Sequence, residues 1–135
     1  MTRPSRPRFT TQAAADVHAI AQVDRDLANM ALHLAIDLHE GRRDHTPLND
    51  RVKTGDLSDC YKATFGHDTR RPSHRLVYRL VDGDMEVVEV VAAGPREDDV
   101  AYLMAGLRLG RINDPYRRSL AQRIIHRALG RGGMD

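Results

Sequence analysis

The hydrophobic pattern divides the chain into helical and extended stretches. From Ala13 to Glu40 apolar residues recur mostly three and four apart, among them Val17, Ile20, Leu27, Met30, Ala31, Leu34 and Leu38. That is the repeat of one helix face. Asp24 and Asp26 interrupt it, which predicts a helical hairpin or one bent helix, and Gly41 suits a helix C-terminus. Before it, residues 8–12 read as a short edge strand. After it, residues 41–56 hold Pro47, Asn49, Asp50 and Gly55 and read as loop.

The repeat then shortens to two. Residues 57–65, "LSDCYKATF", fit a strand, and residues 74–81, "HRLVYRLV", fit one strongly. The pair Asp82-Gly83 separates that run from 84–93, "DMEVVEVVAA", and predicts a hairpin turn. Alternation places Leu76, Tyr78 and Leu80 on one face, with Arg75, Val77, Arg79 and Val81 on the other. A turn at 82–83 would set Arg75 beside residues 90–92.

Beyond Gly94-Pro95 the helical repeat returns over residues 98–109, through Val100, Leu103, Met104 and Leu107. Glu97, Asp98 and Asp99 suit the start of that helix. A last helix follows, with Asp114 as N-cap, Pro115 in its first turn and Gly130 at its end. Tyr116, Leu120, Ile124 and Ala128 form its apolar stripe, and Arg117, Arg118, Arg123 and Arg127 fill its other faces. The tail "RGGMD" is expected to fray. The class is α+β: an N-terminal helical hairpin packed on a small antiparallel sheet, followed by C-terminal helices. A single helical layer on one sheet face is the economical packing.

Composition narrows the functions. At 135 residues the chain fits one domain with a real core. Aromatics make up 4% and Trp is absent, which argues against a base-stacking platform as the main device. The net charge is only +2, but residues 41–79 carry nine basic and five acidic side chains, and residues 103–135 seven and two. Such blocks are compatible with a phosphate-rich partner and equally with ordinary surface charge. The lone Cys60 points to a reducing compartment. No apolar run approaches the ~20 residues that span a bilayer. The basic start "MTRPSRPRF" has no apolar core and reads as a short arm, not a secretory signal.

No C-x-x-C, H-E-x-x-H, P-loop, G-x-G-x-x-G or G-x-S-x-G is present, so neither a metal nor a nucleotide cofactor is expected. Cations near strand ends remain. Lys62, Arg75 and Arg96 can converge at the end of the sheet away from the hairpin turn, as a phosphate site would require. Alternatively Arg75 and Arg96 pair with Glu86, Glu89, Glu97 or Asp98.

Three blocks carry a resemblance. "LSDCYK", "HRLVYR" and "VVEVVAAGPREDDVAY" resemble, in order and spacing over residues 57–104, the RelE family of bacterial toxins. These are ribosome-dependent mRNA endonucleases of toxin–antitoxin pairs. The resemblance implies that Arg75 and Arg96 bind the scissile phosphate and stabilise its charge, and that Lys62 adds positive charge. Tyr102 would act as general base or position the attacking 2′-hydroxyl, with nearby cations lowering its pKa. Lys53, Arg71 and Arg79 are further candidates for substrate binding. The implied partners are an antitoxin, the ribosomal A site and mRNA, in the cytoplasm, with no membrane. Residues 1–109 would form the toxin domain and residues 110–135 a basic helical extension of it.

The sequence departs from the family at two places. Thr64 stands where the best-known pattern has a second lysine, and Pro95 replaces a commoner lysine. Lys62, His67, His74 or the ribosome would supply the missing charge, or catalysis is weak or lost. His74 alternates to the face opposite Arg75, and nothing near Cys60 would activate it as a nucleophile. The alternatives are a ParE-like relative that binds gyrase and an inactive domain of the same fold that acts by binding.

Overall fold

The computed structural model describes residues 6–81 and 86–132. The Asp82-Gly83 turn, most of the basic start and the end of the tail lie outside the described residues. In chain order the elements are β1 (Arg8–Phe9), α1 (Thr11–Val23), α2 (Arg25–His39), β2 (Thr46–Pro47), β3 (Asp50–Arg51) and β4 (Gly55–Asp56). Then come β5 (Tyr61–Phe65), β6 (His74–Val81), β7 (Val87–Pro95), a 3-10 turn (Glu97–Asp99), α3 (Val100–Arg108) and α4 (Pro115–Gly132).

The class is α+β, with the expected order of helical hairpin, sheet and C-terminal helices. Thr10 stops β1 because its hydroxyl caps α1, accepting from the amide of Ala13 at 3.1 Å. Asp24 breaks the two helices: it lies in extended conformation after α1 and accepts from the amide of Leu27 at the start of α2. The main sheet runs β1-β7-β6-β5-β2, with β1 parallel to β7 and every other neighbour antiparallel. A separate hairpin, β3–β4, occupies part of the stretch expected to be loop. Only the second half of residues 57–65 is strand.

The hairpin register differs from the expected one. Val81 faces Val87, and a bulge beside Val77 and Tyr78 adds one residue to β7, so Arg75 lies opposite Gly94 and not residues 90–92. This moves Arg75 directly beside the segment that delivers Arg96.

Both faces of the sheet are covered, not one. On the first, α1 and α2 bury Val17, Leu27, Ala31, Leu34 and Leu38 against Leu76, Tyr78, Val88 and Val90. On the second, α3 buries Val100, Tyr102 and Met104 against Val77, Val91 and Ala92, with Leu57 and Cys60. On α4, Ala121 is buried and Ile124, Ile125 and Ala128 are half-buried against the core; of the expected stripe Ile124 and Ala128 thus pack, while Tyr116 and Leu120 are exposed. The four arginines expected on the outer faces of α4 are exposed, and Gly130 lies within the helix, which runs to Gly132.

One ion pair joins the two helical layers around β7. Past the short β1, the outer edge of β7 needs partners for its backbone. Asp16 of α1 accepts from the amide of Ala93 at 3.0 Å, and Arg108 of α3 donates to the carbonyl of Val91 at 3.0 Å. Arg108 also grips both carboxylate oxygens of Asp16, at 2.6 and 2.8 Å.

The β3–β4 hairpin lies against α3 because Gly106 permits it. A Cβ there would meet the Thr54 carbonyl oxygen at 2.3 Å. Alanine would gain about 1 kcal/mol of helix propensity but cause overpacking that typically costs about 1–3 kcal/mol. Gly106→Ala is therefore expected to destabilise the fold, read as a lower urea midpoint; an unchanged or higher midpoint would show that the hairpin is free to move away.

Candidate functional site

The site is built at the sheet end where β5 and β7 finish and β6 begins. β6 carries Arg75 on the second face, between Thr64 of β5 and Gly94 of β7. Gly94 leaves no side chain above its strand: a Cβ would meet the Met104 sulfur at 2.7 Å. The amide of Arg96 donates to the carbonyl of Ser73 at 2.9 Å, which ties the exit of β7 to the entry of β6.

Arg75 is largely buried, its side chain 14% exposed. Its guanidinium lies over the ring of Tyr102 from α3, 4.3 Å from the centroid, a cation–π contact. Nη1 donates to Asp99 Oδ1 at 2.9 Å. Asp99 also draws Lys53 Nζ to 3.6 Å and Arg51 Nη1 to 3.7 Å from the β3–β4 hairpin. Arg51 approaches the Tyr102 ring as well, 5.7 Å from its centroid.

The acids expected to begin α3 do other work. Glu97–Asp99 form the 3-10 turn, and Asp98 and Asp99 both have φ of 55°. That left-handed conformation is uncommon outside glycine. Asp99 makes no capping bond to α3; its carboxylate points to the cations instead.

Partial burial by itself raises the pKa of Asp99. The hydrogen bond from Arg75 and the charges of Lys53, Arg75 and Arg51 outweigh it and hold the carboxyl below its ordinary range. Tyr102 behaves in the opposite way to expectation. Burial raises its pKa, and the neighbouring Asp99 adds to this; Arg75, Arg51 and Arg96 pull it down but do not prevail. Tyr102 is 1% exposed, and its hydroxyl and the Nε of Arg75 are both buried without a hydrogen-bond partner.

Of the expected site residues, the structure unites Arg75, Tyr102 and Lys53, with Arg96 exposed beside them and close enough to act on Tyr102 electrostatically. Among the described residues Arg96 has no ion pair with Glu97 or Asp98. Lys62 shares the Arg75 face but faces Val77, one row further along the sheet. Arg79 lies further still and is paired with Glu89 at 2.7 Å. Arg71 is in the exposed β5–β6 connection, where its amide donates to Asp68 at 3.3 Å. The suggested replacement histidines turn elsewhere: His67 Nε2 binds Asp24 at 2.8 Å, and His74 packs on Phe65 on the first face. Burial, reinforced by Asp59, pushes the Cys60 thiol up to about 12, which leaves it unreactive.

Arg51 and Asp99 escaped the sequence reading. Arg51 belongs to a hairpin two residues long on each side, and Asp99 has the look of an ordinary helix-start acid. Among the described residues no group of His, Cys, Asp and Glu is placed to hold a metal, and no helix is long and apolar enough to cross a membrane.

No protein-family model matches the chain, and no curated protein does. Among solved structures, the RelBE2 toxin–antitoxin complex of Mycobacterium tuberculosis matches at 27% identity, over 69% of this chain and 99% of the matched one, with a TM-score of 0.48.

An unpartnered buried hydroxyl carries a desolvation penalty that its removal relieves. Tyr102→Phe keeps the ring under Arg75 and is expected to leave stability unchanged or raised by up to about 1 kcal/mol. Chemical denaturation checks this; a loss above that size would mean the hydroxyl has a partner in solution.

Proposed function

We propose that this protein is a RelE-type toxin that cleaves mRNA on the ribosome and is restrained by an antitoxin in the cytoplasm. The observation that carries the reading is the stacking of Arg75 on Tyr102 at the sheet end where Arg96 emerges. These are the side chains the motif resemblance assigns to chemistry, and they come from three separate elements. Residues 1–109 act as the toxin domain, and α4 extends it with a basic outer face.

In the proposed reaction the 2′-oxygen attacks the adjacent phosphorus and the bond to the 5′-oxygen breaks. The products are a 2′,3′-cyclic phosphate and a 5′-hydroxyl; the attacking hydroxyl loses a proton and the leaving oxygen gains one. Arg75 and Arg96 hold the phosphate and stabilise the charge that builds on it. Arginine stays protonated, so it serves as a fixed clamp. Lys62 adds positive charge from the next row, and Lys53 from the hairpin. The raised pKa of Tyr102 keeps the phenol neutral near pH 7. Of its two implied roles, positioning therefore fits better than general base.

One observation favours a second reading, a domain of the same fold that acts by binding alone: the Tyr102 hydroxyl is buried. Purified protein incubated with programmed ribosomes separates the two. Cleavage is expected, and Arg75→Ala or Arg96→Ala should each slow it by roughly 10²–10³. Intact message at high protein concentration, or cleavage unaffected by both substitutions, would overturn the nuclease reading.

A further inference from the structure

We propose that Asp99 is an internal stand-in for a phosphate: it fills an anion site made by Arg51, Lys53 and Arg75, and a phosphodiester of single-stranded RNA displaces it. The inference rests on the reading of this end of the sheet as an RNA site, and deepens it by naming the residue that guards the site.

Three observations support it. First, one carboxylate serves three cations from two separate elements. Only Arg75 reaches it at hydrogen-bond length, 2.9 Å, while Lys53 and Arg51 stop at 3.6 and 3.7 Å. Both hairpin cations are about half exposed, at 48% and 46%, so they are open to solvent on their far side. A phosphodiester has oxygens directed tetrahedrally, and can meet cations from several directions at once.

Second, the backbone that presents Asp99 is in an unfavoured state. Asp98 and Asp99 are consecutive non-glycine residues at φ 55°. Such conformations persist where surroundings hold them, and they mark segments able to switch. Here the ion pairs to Asp99 are the hold, and a competing anion releases it. Third, the site contains unused hydrogen-bonding capacity. Arg75 Nε and Tyr102 Oη are buried and unpartnered, stacked on one another's side chains. Asp99 leaves both unmet.

The same geometry explains how the site is charged despite Thr64. Thr64 faces Arg75 across the β5–β6 pair and brings no cation. The β3–β4 hairpin brings two, Arg51 and Lys53. Displacement of Asp99 would then uncover three positive charges together, in step with the arrival of the ligand.

The test uses the full chain and a 2′-O-methyl RNA hexanucleotide, which cannot be cleaved by 2′-hydroxyl attack, with binding read by fluorescence anisotropy. Asp99→Asn removes the resident charge at nearly constant shape and should tighten binding about tenfold, the direction expected when a competing anion is lost. Arg51→Ala and Lys53→Ala should each weaken it and reduce the salt slope by about one. A folded Asp99→Asn protein that binds no better than wild type, or hairpin variants with an unchanged salt slope, would overturn the proposal. If Asp99→Asn does not fold, carboxyl NMR of the wild type decides. The depressed pKa of Asp99 should return to the ordinary range on saturation with the hexanucleotide, and an unchanged value would overturn the proposal. Message cleavage on ribosomes is scored separately. Its absence alongside Asp99-dependent RNA binding rejects the nuclease reading alone, and normal cleavage with Asp99-independent binding rejects only the stand-in.

Discussion

The candidate site is arranged around one buried cation. Arg75 sits inside a sheet face, and a guanidinium there needs an anion, since leaving a buried charge unpaired costs about 3–5 kcal/mol. Asp99 provides it, with 2.9 Å between nitrogen and oxygen. Reaching that position takes two consecutive left-handed residues, each costing on the order of 1–3 kcal/mol. The two costs are comparable, so the ion pair can sustain the strained turn but has little to spare. The turn in turn fixes where α3 begins, and so where the Tyr102 ring lies under Arg75. The hairpin cations join because the same carboxylate attracts them.

The scaffold anchors this arrangement from beneath. β7 is buried along most of its length, with helices on both faces. Asp16 and Arg108 close its open edge and bind α1 to α3 across it. The 3-10 turn and the β3–β4 hairpin lie on the more exposed side of the site. Gly106 sets the approach of that hairpin, and Gly94 leaves the space that Met104 takes. Arg75 and Tyr102 form the buried floor of the site, and Asp99, Arg51 and Lys53 its more exposed rim.

Much of this was legible in the sequence wherever local patterning decides the outcome. The β6 strand has the expected bounds because strong alternation has no competing local bond. Asp24 was readable as a break because an aspartate can end one helix and cap the next, and Asp114 and Pro115 marked the start of α4 for similar reasons. Errors came where non-local contacts decide. Val81 pairs with Val87, further from Asp82-Gly83 than a two-residue turn allows, and a bulge in β7 adds one residue more, so Arg75 lies opposite Gly94 and not residues 90–92. Half of the expected α4 stripe packs on the core, Ile124 and Ala128, but Ala121 and Ile125 join it in place of Tyr116 and Leu120, which are exposed. Tyr102 was expected to be acidified by cations; three are near, yet burial outweighs them. Asp99 looked like a helix-start acid because its real partner is 24 residues upstream, beyond any local pattern.

In the proposed mechanism these cations and this tyrosine direct a 2′-hydroxyl onto the adjacent phosphate. The most direct measurement is the chemistry of the new ends on message recovered from programmed ribosomes. The expected ends are a 2′,3′-cyclic phosphate on the upstream fragment and a 5′-hydroxyl on the downstream one. A 5′-phosphate with a free 3′-hydroxyl would contradict it, because water and not the neighbouring sugar would then have been the nucleophile.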